Sequence, residues 1–558
     1  MNFIRSFMGR RQFLAGTLAT STLSLAYKMA GISEGLAKAS EKTDSAGIKT
    51  GSSGSYTKII KADVVVLGSG AGGMTAAIRA RQQGVDNVVI LEKRPEIGGN
   101  SVFAPLPIKN NSDKKNGTGA REIFNAAAEN THWGGDARII GTVVDKSEKV
   151  SGWLKEFSMG VQGGVHDGML VKILKTQCDT LGVRIICNAR ARKILKDENG
   201  WTCGVSAEQD GKMIKVEAQV TVLATGGFLG DPELMERYFP CWDDRFDYEV
   251  NIEGLSYSGD GIKMALEAGA GNDGTIAFEW SMNKVPFFKG GLKELSTISV
   301  LTDNRKTPEA LWVNNVGVRF TNESKIHSTN AIYRQPNKDC FIILDAGVVE
   351  KLAGKYPGLV SLDKLQKEIE PLIEADQALV TDSVGAVAAW IRGKKHILQH
   401  AIDVYNESCE KGRDELYYKD PASLVPLKKS PFYVFRSGLS LRLTHGPVKV
   451  NPMMSVVSRF DFPVPGLMAC GADIGGLHTD RFISSEESRS IEWTIASGLG
   501  AGENAAAFVQ GNKPVKVYEF PKYTAREVMA GNYENVGTVD VNSMPAGPPA
   551  SGDNKSYH

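Results

Sequence analysis

The chain has 558 residues, of which 42% are hydrophobic and 23% charged, the profile of an ordinary soluble globular protein with room for two or three cores. Its formal net charge of +1 excludes a nucleic-acid footprint or an acidic-substrate funnel carried by overall charge. No nucleic-acid partner is therefore expected.

The N-terminus differs in kind from the rest of the chain. Arg10-Arg11-Gln12-Phe13-Leu14 comes after basic Arg5, then a weakly apolar segment from Ala15 to Tyr27, then Ala37-Lys38-Ala39. This resembles a twin-arginine export signal over residues 1–39, cleaved after Ala39, with a plain disordered leader as the alternative. The apolar part is short and broken by Thr and Ser, which argues against a permanent membrane span. Twin-arginine export carries folded proteins and would place the mature chain in the periplasm or elsewhere outside the cytoplasm, free or membrane-associated. Residues 40–60 are rich in Ser, Gly and Lys and read as a flexible linker, so the folded part begins near Lys61.

Ala62 to Ser101 reads as strand, glycine turn, helix, strand and second glycine turn. Val64, Val65, Val66 and Leu67 form the apolar run of a buried parallel strand, broken at once by Gly68, Gly70 and Gly73. That GxGxxG spacing permits a tight turn, close backbone approach to a pyrophosphate, and close packing of a helix starting near Ala71 with its N–H groups aimed at the phosphates. The next strand ends in Glu92, placed to hold a ribose hydroxyl pair. A glycine-rich strand-to-helix turn without ligand is the alternative.

Helical periodicity continues in AREIFNAAAENT, ARIIGTVVDKSEKVSGWLKEF and LVKILKTQCDTLG, then strands up to Gly226-Gly227, a glycine pair at the sheet's carboxyl edge. Gly259-Asp260-Gly261 opens another helix. Residues 276–425 mix short strands and helices without a second nucleotide fingerprint, as an inserted domain does. Strand patterns return at Pro431, and a glycine-rich turn precedes the helix TIASGLGAGENAAAFV. The expected fold class is α/β, a Rossmann-like dinucleotide domain (61–275 and 426–530) with an inserted α+β capping domain (276–425) and a disordered tail (531–558). The seven cysteines include no CxxC or CxxCH, hence no attached c-type haem; Cys178 and Cys187 could pair outside the cell, but folding in the cytoplasm favours free thiols.

These pieces together resemble the flavoprotein family of soluble fumarate reductase, urocanate reductase and 3-ketosteroid dehydrogenase. The matching stretches are GSGAGG, Glu92-Lys93, Gly98-Gly99-Asn100-Ser101, Asn188-Ala189-Arg190-Ala191, Ala224-Thr225-Gly226-Gly227-Phe228, Gly259-Asp260-Gly261, the run from Gly317 to Glu323, and Gly475-Gly476-Leu477-His478. In architecture the chain is also similar to exported stand-alone reductases such as cardiac glycoside reductase. The resemblance implies FAD in the first domain and substrate held between flavin and cap. It assigns FAD contacts to Gly68, Gly70, Ala71, Gly73, Glu92, Lys93, Gly99, Asn100, Ser101, Ala191, Thr225, Gly226, Asp260 and Asp473. No His follows Gly98-Gly99, where membrane-bound relatives attach flavin covalently, so non-covalent FAD is expected.

At the catalytic positions the chain departs from the family. The slot of the proton-donating Arg, or of Tyr in the ketosteroid enzymes, holds His327, four residues after Glu323. The family's Thr-Glu-x-x-Arg relay resembles Thr302-Asp303-Asn304-Arg305-Lys306, a substrate-binding His falls on Arg442, and the late Arg on Arg481. A protonated His327, fed by Asp303 and Lys306, is a better-matched acid near neutral pH than Arg. Arg442 and Arg481 can supply positive charge to a carbonyl or carboxylate, and His478 and Tyr333 complete the expected substrate set, Tyr333 being equally readable as a core ring. One dicarboxylate ligand is missing, which argues against fumarate and for enoates, enones or unsaturated lactones. The expected activity is flavin-dependent reduction of an activated C=C bond in a small unsaturated organic substrate, fed by a separate electron donor such as a membrane-bound or periplasmic cytochrome. A ketosteroid-type dehydrogenase and a non-catalytic electron-transfer flavoprotein are the alternatives.

Overall fold

The computed structural model describes residues 56–104, 107, 119–157, 168–238, 247–248, 257–274, 277–281, 296–303, 306–325, 331–332, 334–438, 440–479 and 490–511. The expected export signal, nearly all of the linker, and the C-terminal tail lie outside them.

In chain order the first half runs β1 (Lys58–Lys61), β2 (Val64–Leu67), α1 (Ala71–Gln82), β3 (Val88–Leu91), α2 (Ala120–Asn130), α3 (Ala137–Lys155), α4 (Met169–Thr180), β4 (Arg184–Ile186), β5 (Ala189–Lys196), β6 (Thr202–Gln209), β7 (Lys212–Glu217), β8 (Val220–Leu223), α5 (Pro232–Tyr238), β9 (Asp247–Tyr248) and α6 (Asp260–Glu267). Then come β10 (Ala277–Ser281), α7 (Ser296–Leu301), β11 (Leu311–Val313), β12 (Asp339–Asp345), α8 (Ala346–Lys355), α9 (Leu362–Glu374), β13 (Ala378–Thr381), α10 (Val384–Trp390) and α11 (Lys395–Lys411). The last elements are β14 (Phe432–Gly438), β15 (Ser440–His445), β16 (Ser455–Val457), β17 (Pro463–Ala469) and α12 (Ser490–Val509).

The central sheet has the order β16-β17-β8-β2-β3-β4, parallel throughout except for the antiparallel edge strand β16. Its inner strands are apolar on both faces, and Val64 to Leu67 and Val88 to Leu91 are buried without exception, because helices α1 and α12 and strands β5 and β6 of a neighbouring sheet pack against them. Helix α12 reaches α1 through small residues: a Cβ on Gly502 would stand 2.4 Å from the Ala76 carbonyl oxygen. A side chain there would force the two helices apart. A second sheet, β1-β7-β6-β5, flanks the first. The apparent single strand VRIICNARA is two, β4 in the central sheet and β5 in the second, divided by Asn188 at φ 54°.

The inserted region builds its own antiparallel sheet, β11-β12-β14-β13. Strand β14 pairs with β12 and β13, so this sheet closes at Gly438, beyond the boundary expected at 425. The small sheet β10-β15-β9 links segments from both sides of that boundary. Buried carboxylates cap the cap-domain helices. Glu368 of α9 accepts from the Thr297 and Ile298 amides at 3.2 and 3.0 Å, and Asp345 from Val348 N at 2.9 Å.

The stretch from Gly317 to Glu323 is held by a buried charge network. Arg319 binds Glu323 through two bonds of 2.8 and 2.9 Å and Asp414 at 2.7 Å, and its guanidinium lies over Tyr405 and Tyr417 at 5.2 and 4.9 Å. Lys419 Nζ donates to the Ala310 carbonyl and the Tyr405 hydroxyl and stands 3.4 Å from Glu323. Two cations face two carboxylates, so the cluster is neutral while intact. Glu323→Ala leaves Arg319 and Lys419 short of an anion and is expected to lower unfolding free energy by about 3–5 kcal/mol in urea titration. Glu503→Ala, at a half-exposed pairing with Arg79 and Lys146, is expected to change it by about 1 kcal/mol or less.

Candidate active site

The carboxyl ends of β2, β3, β8 and β17 converge on one set of loops. Gly68 ends β2 at φ 105°, and a Cβ there would lie 2.3 Å from the Ala224 carbonyl oxygen. Gly70 is different: its Cβ would meet nothing nearer than Ser101 Oγ at 3.7 Å and Gly98 O at 4.0 Å, so open space adjoins the start of α1. That helix has no acidic residue in its first turn and no side-chain cap. The Ala71 amide donates to Ser101 Oγ at 2.9 Å. A helix N-terminus without an acidic side chain, beside a glycine-lined space, is what a pyrophosphate requires, so these residues fit the dinucleotide portion of FAD.

Glu92 lies at the end of β3 and is 6% exposed. Its Oε2 accepts from Ser69 N at 3.0 Å and Ser69 Oγ at 2.6 Å, and its Oε1 from Arg94 N at 3.0 Å. Ser69 Oγ in turn accepts from Gly98 N at 3.1 Å. The two glycine turns are thus tied through one hydroxyl and one carboxylate. Oε1 keeps a lone pair that a ribose hydroxyl can use, whereas both lone pairs of Oε2 are taken by Ser69.

Beside Glu92, Lys93 Nζ donates to Ser258 Oγ at 2.8 Å, and Arg190 binds Asp260 bidentately at 2.8 and 2.7 Å. Burial pulls the Asp260 carboxyl up, but hydrogen bonds from Arg190 and Ser258 outweigh it and hold the group below its ordinary range. For Lys93 burial wins over the charge of Asp260, and the ammonium is lowered. Ala191 pairs with Ala207 just before a bulge in β5. Gly99 and Asn100 open the short helical turn Gly99–Phe103.

Asp473, after β17, is fully buried and accepts from Thr225 N at 2.5 Å, Thr225 Oγ1 at 2.9 Å and Gly227 N at 2.9 Å. Burial raises its pKa in spite of those bonds. It acts on the Thr225-Gly226-Gly227 loop rather than facing open space. Thr444, near the end of β15, accepts from Phe228 N at 2.9 Å and completes the junction.

The substrate-side expectations meet the described structure only in part. His327, Arg481 and Tyr333 lie outside the described residues; Arg442 stands on β15, its side chain likewise undescribed. Asp303 and Lys306 do come together, Nζ to Oδ2 at 3.9 Å, one turn apart. Thr302 directs its hydroxyl to the Ile298 carbonyl, at 2.8 Å, one helical turn back. His478 is 3% exposed and packed between His445, at 4.5 Å between ring centres, and Trp493, stacked at 5.4 Å. Burial lowers the pKa of both histidines, His445 to about 3.

Ser69, Ser258, Thr444 and Arg190 carry no assignment from the sequence. Ser69 occupies a variable position of the GxGxxG motif, and Arg190 sits inside a recognised stretch whose signal is backbone contact. Only the bidentate geometry shows its role. The cysteines Cys178, Cys187, Cys203, Cys340, Cys409 and Cys470 are free.

Comparison with known proteins gives one picture. The family described as FAD binding domain matches residues 164–481, and that described as FAD dependent oxidoreductase matches residues 63–230. Vinyl phenol reductase of Lactiplantibacillus plantarum is 28% identical over 491 residues, spanning 80% of this chain and 96% of that protein. Urocanate reductase of Eggerthella lenta is 24% identical over 483 residues, covering 80% and 74%. Among solved structures, 3-ketosteroid delta1-dehydrogenase from Sterolibacterium denitrificans superposes with a TM-score of 0.64 at 17% identity, covering 80% of this chain and 99% of that one. The open conformation of a flavocytochrome c3 fumarate reductase gives 0.60 at 21% identity, covering 84% and 81%. These two show the fold.

The buried histidine pair sets a pH dependence. Both fold as neutral rings with lowered pKa, whereas in the unfolded chain they take up protons below about pH 6.5. The unfolded state then binds more protons, so stability is full above that pH and falls as pH drops, by up to about 1.4 kcal/mol per unit for each histidine. Urea unfolding of the holoprotein between pH 7.5 and 5.5 is expected to show this slope, and His445→Gln to flatten it.

Proposed function

Starting from a chain that belongs to the FAD binding domain family and is an FAD-dependent oxidoreductase, we propose that it reduces the C=C bond of a small unsaturated organic molecule. The observation that carries this is the relation to vinyl phenol reductase over 96% of that protein's length, with urocanate reductase beside it. Both are reductases, by name, of small unsaturated compounds. The proposed substrates are alkenes conjugated to a carbonyl, a carboxylate or a hydroxylated ring.

Reduced FAD, when bound, supplies a hydride to the β-carbon of such an alkene. The protein's task is to deliver a proton to the α-carbon and positive charge to the activating group. His327 is the proposed acid. The network of Arg319, Glu323, Asp414 and Lys419 anchors the chain four residues before it, and Asn322 Nδ2 binds the Tyr417 and Tyr418 carbonyls at 2.9 and 3.0 Å. Asp303 and Lys306 are the proposed route by which the acid regains its proton, and Arg442 and Arg481 the proposed hold on the activating oxygen. Glu92, Lys93, Ser101 and the loop tied by Asp473 hold the cofactor in place, without a covalent link. The two electrons come from a separate donor, for which a cytochrome is proposed, and the twin-arginine pattern supports export. His327→Ala is expected to lower turnover about 10²–10⁴-fold while flavin content is kept. The measurement is anaerobic reoxidation of dye-reduced protein by hydroxystyrenes, cinnamates, urocanate, enones and lactones. Reoxidation by none of these, with rapid reoxidation by a cytochrome, would make the protein an electron carrier instead.

A further inference from the structure

One end of the cap sheet carries a cleft that the proposed reaction does not use. It has a volume of about 330 Å³, and its lining includes Asn315, Phe341, Asp376, Trp390, Arg392 and Arg436. None of these belongs to the cofactor loops, so a role for the cleft is independent of the proposed reductase activity.

The walls come from tight turns gathered at the end of the strands. Asn337, Asp376 and Arg392 all hold left-handed backbone, at φ 57°, 55° and 62°. For Asn and Asp that conformation is tolerated, but for Arg it is strained, as backbone around a ligand site often is. Phe341 of β12 and Arg436 of β14 are direct cross-strand partners and therefore point to the same face. The Trp390 ring stands edge-on to Phe341, with ring centres 5.6 Å apart and an interplanar angle of 74°. Its Nε1 donates to Asp376 Oδ1 at 2.8 Å, which fixes the indole in place.

The polar groups are unevenly satisfied. Arg436 is paired with Asp339, also on the lining, at 3.2 Å. Arg392 is exposed and forms no ion pair among the described residues. Asn315 Oδ1 is buried and accepts no hydrogen bond from the described residues. A buried acceptor left without a donor is uncommon in a folded protein and points to a group that arrives with a ligand. The cleft thus offers an orphaned acceptor beside a carboxylate, an exposed guanidinium, and an aromatic wall. Its two carboxylates and two guanidinium groups balance, which disfavours a ligand of high net charge.

We infer that this cleft is a second binding site, for a small aromatic zwitterion of the α-amino acid type. The ammonium group meets Asn315 Oδ1 and the free lone pairs of Asp376, the carboxylate meets Arg392, and the ring lies against Trp390. No covalent step is involved.

The test is isothermal titration of the FAD-loaded protein with L-phenylalanine, phenethylamine and phenylacetate. L-phenylalanine is expected to bind, and each of the other two, lacking one charged group, to bind at least about tenfold more weakly. Arg392→Gln, an exposed change, is expected to weaken L-phenylalanine about tenfold and leave phenethylamine unaffected. Asn315→Leu is expected to do the reverse for the two half-ligands, weakening phenethylamine and sparing phenylacetate. Flavin absorbance and alkene turnover should not change on adding L-phenylalanine. The inference is overturned if L-phenylalanine gives no heat up to about 10 mM, if Arg392→Gln binds it as the parent does, or if it shifts the flavin spectrum and competes with the alkene.

Discussion

Two buried carboxylates hold the carboxyl edge of the central sheet together, and the cofactor site depends on both. Glu92 ties the first glycine turn to the second through Ser69, and Asp473 ties the loop after β8 to the one after β17. Neither is held by an ion pair among the described residues. Each is stabilised by backbone amides and hydroxyls, groups whose positions are fixed by the strands they end. The glycine turns can therefore remain bare of side chains, as close approach of a pyrophosphate demands, without losing their shape.

The cap domain uses opposite means. Among the described residues, its most deeply buried polar cluster is a neutral set of full charges, Arg319 and Lys419 against Glu323 and Asp414, with tyrosine rings on the guanidinium. Such a cluster is intolerant of losing one member, and it fixes the register of the chain on either side. Its member Glu323 stands four residues before His327 in the sequence. The cofactor domain thus offers a preformed cradle, while the cap offers a rigid frame for the residues proposed to face substrate.

Much of the fold is legible in the sequence because its signals are local. The run Val64 to Leu67, the spacing of Gly68, Gly70 and Gly73, and Glu92 at the end of the next strand each follow from covalent neighbours. Helices α1, α3, α4 and α12 are visible in the same way, from periodicity. The features that escape local reading are long-range. Strand β14 looks like the return of the first domain, yet its partners are β12 and β13, a pairing no local pattern encodes. Ser69 and Arg190 acquire their roles only when Glu92 and Asp260 are brought to them. His478 reads as a substrate ligand from its motif, and its stacking between His445 and Trp493 is a further long-range feature that the motif does not encode.

The open space beside Gly70, at the start of α1, is suited to receive the cofactor's pyrophosphate. Gly70 has φ −67° and ψ 175°, which any residue can adopt, so a larger side chain there fills the space without straining the backbone. The most direct measurement is titration of apoprotein with FAD, followed by fluorescence, for Gly70→Leu. Affinity for FAD is expected to fall by at least about a hundredfold, near 3 kcal/mol, with circular dichroism and unfolding midpoint of the apoprotein unchanged. Undiminished FAD binding by a folded Gly70→Leu protein would mean that the pyrophosphate lies elsewhere.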